Sequence, residues 1–146
     1  MAEEISSKGR SVRTFIDTNI LVYSDDSRDP AKQEKALALI KKHFLERTGV
    51  LSLQVLQEYF VTVVRKLKLD AELAKRRVEF FAKFYVADPR VSDVLAAIDL
   101  HRLHGFSYWD SLVLHTAKQA GCRVLLSEDL QHGQEINVVR IVNPFL

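Results

Sequence analysis

Cysteine and long hydrophobic runs are both scarce in this 146-residue chain, and each scarcity excludes a class of protein. The single cysteine, Cys122, cannot form an internal disulfide, so a secreted disulfide framework is excluded. No apolar run approaches the length of a membrane span, and the N-terminal residues carry Glu3 and Glu4 instead of a signal-peptide core. We therefore expect no membrane partner and a cytoplasmic location.

Glycine and proline are also few, at five and three residues, and neither clusters into a linker or a repeat. A hydrophobic fraction of 47% suffices for one core, which predicts a single domain over residues 12–146 after a flexible tail over residues 1–11. The formal net charge of +2 is too small to indicate a nucleic-acid partner by itself. Candidates for phosphate contacts are therefore individual basic residues: Lys41, Lys42, Arg65 and Arg102.

Short apolar runs alternate with longer amphipathic segments, a pattern typical of α/β domains with a parallel sheet. The predicted strands cover residues 12–16, 50–51, 85–87, 123–126 and 138–142. The predicted helices cover residues 30–46, 53–67, 71–84, 91–104 and 107–121. A polar loop is predicted at residues 24–29. The helix after Ser52 is expected to bury a stripe that includes Leu53, Leu56 and Phe60.

Two of the predicted strands end in carboxylates. Asp17 directly follows the first strand, with the short polar residues Thr18 and Asn19 after it. Asp129 lies just beyond the strand at 123–126, with Ser127 two residues before it on the same side of an extended segment. Ligands of parallel sheets bind at the carboxyl ends of the strands, so these side chains are expected to meet there. The structural alternative is that Asp17 only caps the helix that follows it.

Two further acids are placed by helices. Asp110 lies three residues after Ser107, which is the spacing of a capping box and explains Asp110 structurally. The same position puts its carboxylate at the positive end of a helix, where the ionised form is favoured. Glu58 points away from the predicted apolar stripe, one turn after Gln54, and is either an exposed glutamate or a fourth acid of the site.

A set of carboxylates suits metal-assisted hydrolysis of phosphodiesters. Mg²⁺ and Mn²⁺ prefer oxygen ligands, and Mg²⁺ takes only one or two carboxylates directly while it keeps several waters. A bound ion activates water and neutralises charge on the phosphate, so no covalent nucleophile is needed.

These motifs together resemble those of the PIN-domain nucleases, in particular the VapC-like toxins of toxin–antitoxin modules. The segments that carry the resemblance are Phe15-Ile16-Asp17-Thr18-Asn19-Ile20-Leu21, Gln57-Glu58-Tyr59-Phe60, the region from Gly105 through Asp110, and Ser127-Glu128-Asp129-Leu130. The resemblance implies a three-layer sandwich with a central parallel sheet of four or five strands between helices. It also implies RNA cleavage by Asp17, Glu58, Asp110 and Asp129, with Asp17, Asp110 and Asp129 holding Mg²⁺ or Mn²⁺. For the toxin branch it implies a homodimer and a cognate antitoxin protein.

Two other functions remain open at this point. A haloacid-dehalogenase-like phosphatase would use Asp17 as a nucleophile, but that motif needs a second aspartate where this chain has Asn19. A non-catalytic RNA-binding module of the same shape would not need all four acids. Tyr108 and Trp109 can stack on a base, although core packing is the more common role of large aromatic residues. No histidine has the spacing of a zinc site, so surface or helix-cap positions are expected for His101, His104, His115 and His132.

Overall fold

A computed structural model describes residues 12–146, and the predicted tail over residues 1–11 lies outside them. Six strands form one sheet: β1 (Thr14–Ile16), β2 (Gly49–Ser52), β3 (Tyr85–Ala87), β4 (Val124–Leu126), β5 (Glu135–Ile136) and β6 (Val139–Val142). Their spatial order is β3-β2-β1-β4-β6-β5. All neighbouring pairs are parallel except β5 and β6, which form an antiparallel edge. The predicted α/β class is therefore confirmed, with five parallel strands and one short strand that the sequence did not indicate.

Six helices connect these strands: α1 (Thr18–Tyr23), α2 (Pro30–Glu46), α3 (Leu53–Arg65), α4 (Ala71–Phe81), α5 (Val91–His104) and α6 (Tyr108–Gln119). The chain moves from β1 to β2 to β3 in one direction and then returns past β1 to β4. Because parallel crossovers are right-handed, α1–α4 cover one face of the sheet and α5–α6 cover the other. The helix contacts agree, since α1 packs on α2 and α3, α3 packs on α4, and α5 packs on α6.

The centre of the core is β1, which is buried along its whole length between β2 and β4. Phe15 and Ile16 are fully buried there, and Leu51 of β2 and Leu125 of β4 flank them. The order in which strands are added to the sheet reverses at β1, because the chain first builds outward to β3 and then returns to form β4 on the other side of β1. The carboxyl ends of β1 and β4 therefore face a crevice between the two helical layers. Crevices at such a reversal are the usual ligand sites of open α/β sheets.

Helix α3 buries only part of the predicted stripe. Val55, Tyr59 and Val63 are fully buried and Leu56 is almost fully buried, whereas Leu53 and Phe60 are exposed. The helix carries apolar residues on two faces, and periodicity alone does not tell which face packs on the sheet. The prediction for Leu53 and Phe60 was therefore wrong, and both residues line an exposed apolar groove with Val61 and Val78.

The segment predicted as a polar loop, residues 24–29, is a loop as expected, and it lies against the core. Ser24 and Asp26 are buried, and the Asp25 carboxylate accepts hydrogen bonds from the Tyr59 hydroxyl at 2.5 Å and the Arg77 Nε at 2.9 Å. These contacts fasten the end of α1 to α3 and α4. Within residues 12–146 no helix combines the length and apolar character needed to cross a bilayer.

Candidate active site

Asp17 ends β1 and begins α1. Its backbone N–H donates to the Leu126 carbonyl at 3.0 Å, which ties the ends of β1 and β4 together. Its backbone is extended and its carboxylate accepts from the Thr18 N–H at 2.8 Å, so it is the N-cap of α1. Both the structural and the functional interpretation of Asp17 are thus compatible with its position. The residue is only 7% exposed, which is unusual for a carboxylate.

Ser127 and Asn19 connect Asp17 to Asp129. The fully buried Ser127 hydroxyl donates to the second oxygen of Asp17 at 2.8 Å and accepts from the Asp129 N–H at 3.2 Å. The Asn19 amide Nδ2 donates to the Asp129 carboxylate at 3.0 Å. The two strand-end acids, 112 positions apart in sequence, therefore lie in one hydrogen-bonded network.

Glu58 joins the same network from α3. Its Oε1 accepts from the Thr18 hydroxyl at 2.8 Å, and its Oε2 accepts from the Gln54 Nε2 at 3.1 Å. Thr18 thus contributes its backbone N–H to Asp17 and its hydroxyl to Glu58. Glu58 is half-buried, and its interpretation as an ordinary exposed glutamate does not fit these contacts.

Asp110 approaches the cluster from the first turn of α6. Ser107 caps this helix by accepting from the Asp110 N–H at 3.0 Å, as the sequence spacing predicts. Burial raises the pKa of the Asp110 carboxyl, and the negative charges of Asp129 and Glu58 raise it further. Four acids from four separate elements therefore share one electrostatic environment.

Asp17 carries the largest electrostatic cost in this cluster. The pKa of its carboxyl is raised to about 6. Burial is the largest cause, the hydrogen bonds from Ser127 and Thr18 lower the pKa in part, and the charges of Asp129 and Glu58 raise it further. Among the described residues, no lysine, arginine or histidine forms an ion pair with any of the four acids. Like charges gathered without a protein counter-charge favour a bound cation.

The donors fit a hard divalent ion held partly through water. All four side chains offer oxygen, which suits Mg²⁺ or Mn²⁺ and not a thiolate- or imidazole-binding metal. Within residues 12–146, no three carboxylates, histidines or cysteines come together closely enough to form a complete direct ligand set. Mg²⁺ does not need one, because it keeps several of its waters.

An open cleft of about 680 Å³ lies beside the acids. Its lining includes the acids Glu58 and Asp129, but not Asp17 or Asp110, together with the bases Arg28 and Lys66. The guanidinium of Arg28 is held by two hydrogen bonds to the Asp26 carboxylate, at 2.8 and 3.0 Å. The cleft therefore presents both acids and bases to a ligand.

The basic residues chosen from the sequence are not the ones that line this cleft, since Lys41, Lys42, Arg65 and Arg102 are absent from its walls. Lys66 was missed because a run of charges does not show which member faces the site. A usable signal was present, however. Residues four apart lie on one row of a helix, and the row from Glu58 leads through Thr62 to Lys66.

Two other sequence expectations have different outcomes. Trp109 is 59% exposed and meets Tyr108 edge-to-face, so core packing was the wrong expectation for Trp109. Of the four histidines expected at the surface or in helix caps, His101, His104 and His132 are exposed, as expected, whereas His115 is half-buried and hydrogen-bonded to Asp93.

Solved structures of similar fold include toxins and toxin–antitoxin complexes. Mycobacterium tuberculosis VapC20, described as a toxin that cleaves the sarcin–ricin loop, aligns with a TM-score of 0.63 and 17% identity over 80% of this chain and 91% of its own. A toxin–antitoxin complex from Klebsiella pneumoniae gives a TM-score of 0.65 and 16% identity over 90% and 97%. The DNA-bound VapBC of Salmonella typhimurium gives 0.64 and 17% over 90% and 97%.

No curated protein sequence matches the chain. The PIN domain matches residues 14–134, which is most of the chain and includes all four acids of the cluster. At identities of 16–17%, the solved structures show only that the fold is shared. The family match rests on the amino-acid sequence itself. The chain therefore belongs to the PIN domain family.

Proposed function

We propose that this chain is a metal-dependent endoribonuclease that hydrolyses RNA phosphodiester bonds, with Asp17, Glu58, Asp110 and Asp129 as its catalytic acids. The observation that carries the proposal is the clustering of these acids at the carboxyl end of the sheet without an ion-pair partner among residues 12–146. Asp17, Asp110 and Asp129 would hold Mg²⁺ or Mn²⁺. The ion would supply the Lewis acidity that phosphodiester hydrolysis requires.

The chain's own residues keep these carboxylates in place. Ser127 and the Thr18 N–H each hold one oxygen of Asp17, so its carboxylate cannot rotate freely. The Thr18 hydroxyl orients Glu58, and Asn19 orients Asp129. Preorganised polar groups of this kind lower the cost of reorganisation at the moment of reaction. Thr18, Asn19 and Ser127 are therefore supporting residues in this proposal.

The substrate side of the proposal rests on the cleft. Arg28 and Lys66 line the same cleft as Glu58 and Asp129 and offer positive charge to the backbone of a nucleic-acid strand. The exposed Trp109, adjacent to Asp110 in sequence, offers an aromatic face to an unpaired base. RNA is chosen over DNA because the motifs resemble those of VapC-like nucleases, and VapC20, which shares this fold, is described as cleaving the sarcin–ricin loop.

The residue at position 19 argues against the phosphatase alternative. That motif needs a second aspartate there, whereas this chain has Asn19, whose amide donates to the Asp129 carboxylate at 3.0 Å. Trapping of a phosphorylated Asp17 would favour that alternative. The non-catalytic RNA-binding module does not account for four acids gathered at an electrostatic cost.

We also propose two protein partners. A cognate antitoxin is supported by the toxin–antitoxin complex among the similar structures and by the exposed apolar groove at Leu53, Phe60 and Val61. That groove shares Val61 with the acidic cleft, so a partner seated in it would lie against the proposed active site. A homodimer is supported by the exposed apolar residues Leu95 and Ile98 on α5.

The decisive experiment is cleavage of end-labelled RNA by purified protein in Mn²⁺ and in EDTA. We expect cleavage with Mn²⁺, none in EDTA, and at least a hundredfold slower cleavage by Asp129→Asn, since removing one catalytic group costs about 10²-fold or more. The exposed Asp99→Asn on α5 is the matched control. RNA binding without cleavage would support the non-catalytic module, and equal cleavage in EDTA would refute metal dependence.

A further inference from the structure

Glu128 lies between Ser127 and Asp129 in sequence, yet its side chain points away from the acid cluster. Its carboxylate accepts from the Tyr23 hydroxyl at 2.7 Å and binds the Lys32 ammonium. Its backbone N–H donates to the Asn19 Oδ1 at 3.3 Å. The same Asn19 amide holds the Asp129 carboxylate through its nitrogen. Glu128 is therefore the point where the segment that carries Asp129 is attached to α1 and α2.

The position of Lys32 is not explained by the stability of its own helix. It is the third residue of α2, where Asp29 is the N-cap. The N-terminus of a helix carries partial positive charge, so a cation in this turn is electrostatically unfavourable. Instead, the ammonium lies 4.7 Å from the centre of the Tyr23 ring and 5.3 Å from that of Phe145, and it donates to the Tyr23 hydroxyl at 3.2 Å. The Lys32 ammonium thus contacts Glu128, Tyr23 and Phe145.

We propose that Lys32 and Tyr23 are positioning residues that fix the Asp129 carboxylate by holding Glu128. The link is short, because Glu128 and Asp129 are adjacent and both depend on Asn19. Release of the Glu128 side chain would let residues 127–129 rotate and would loosen the Asn19 contact with Asp129. The inference rests on the proposed function, since it concerns an acid assigned there to metal binding.

A merely structural ion pair would behave differently. The Lys32 and Glu128 side chains are 31% and 25% exposed, and pairs that remain open to solvent contribute little to stability. The outer partners of metal ligands, by contrast, change metal affinity or activity by about 10- to 100-fold when they are replaced. The positioning role therefore predicts a large effect on the ion and on turnover with a small effect on folding.

Lys32→Met tests this prediction because methionine keeps much of the side-chain volume and removes the charge. Lys35→Met, an exposed lysine of the same helix, is the control. We expect Lys32→Met to weaken Mn²⁺ binding, measured by calorimetry, by about tenfold. We also expect a similarly lower kcat on RNA, an unchanged KM for RNA, and a urea midpoint equal to that of Lys35→Met. The same Mn²⁺ affinity and kcat in both variants would overturn the proposal.

A charge exchange gives a second, independent measurement. Lys32→Glu and Glu128→Lys should each weaken Mn²⁺ binding, and the double variant should bind Mn²⁺ more tightly than either single variant. A double variant no better than the singles would refute the pairing. If the wild-type protein binds Mn²⁺ but cleaves no RNA, the nuclease proposal fails while the Mn²⁺ affinities still decide the positioning role. A wild-type protein that does neither overturns both.

Discussion

Asp17→Asn should stabilise the metal-free protein at neutral pH while it abolishes cleavage. Burial and two neighbouring acids raise the pKa of Asp17 from 3.8 to about 6. The folded protein therefore holds a proton on Asp17 more tightly than the unfolded chain does. Stability contributed by the protonated form is complete below pH 3.8 and is lost as the pH rises through about 6. Asparagine has no charge to bury and avoids that loss.

The size of the effect follows from the shift. A difference of about two pKa units corresponds to about 3 kcal/mol of lost stability at neutral pH, at about 1.4 kcal/mol per unit. Asparagine replaces one acceptor oxygen with a donor, so either Ser127 or Thr18 loses its acceptor, which costs about 1–2 kcal/mol. The net stabilisation of Asp17→Asn at neutral pH is then about 1–2 kcal/mol.

Urea denaturation in EDTA, followed by circular dichroism, measures this difference at several pH values. The advantage of Asp17→Asn over wild type should grow by about 2 kcal/mol between about pH 4.5 and pH 7.5, because most of the titration window lies in that range. This growth does not depend on the hydrogen-bond cost, which is the same at every pH. Asp99→Asn is the control for the removal of an exposed carboxylate and should show no such growth.

Addition of Mn²⁺ should reverse the order of stability. A ligand that binds only the folded state raises stability in proportion to the logarithm of its concentration over its dissociation constant. Wild type should gain stability with Mn²⁺, and Asp17→Asn should gain little. An Asp17→Asn variant that is less stable than wild type in EDTA at pH 7.5, or that cleaves RNA at the wild-type rate, would refute the reasoning.

Two further predictions concern the support of the site and its substrate. Tyr59→Phe should lower the free energy of unfolding by about 1–2 kcal/mol in urea denaturation, because the Asp25 carboxylate loses a buried donor and keeps only Arg77; an unchanged urea midpoint would contradict this. Lys66→Ala should weaken RNA binding in the cleft and reduce the slope of affinity against salt by about one charge, whereas the neighbouring Arg65→Ala outside the cleft should not. Fluorescence anisotropy with labelled RNA in several salt concentrations distinguishes the two variants.

The parts of the site on the sheet could be predicted from the sequence because strand pairing leaves little freedom. Once β1 and β4 are buried parallel neighbours, residues just beyond their ends must meet, which brings Asp17 close to Asp129. The capping of α6 by Ser107 followed from local spacing alone. These inferences depend on geometry within one element or between two adjacent strands, and such geometry is periodic.

The parts that failed depend on contacts between elements. The exposure of Phe60 and the burial of Tyr59 depend on how α3 is rotated against the sheet and α4, and two apolar faces on one helix leave that rotation undetermined. The burial of the Asp25 side chain was not predicted, because its partners, Tyr59 and Arg77, lie 34 and 52 positions away. Polar residues whose partners are distant carry no local signal of burial.

The unequal burial of the four acids explains why the cluster can exist in the folded protein. Asp17 alone among the four acids is nearly fully buried, while Glu58 and Asp110 are half-buried and Asp129 is exposed. Desolvation is the largest cause of the raised pKa of Asp17. This cost falls mainly on Asp17 because the other three acids are more exposed. That side chain is held at the end of the most deeply buried strand, where Ser127 and the Thr18 N–H both offset the cost. A buried carboxylate without these two donors would instead rotate into solvent and leave the cluster.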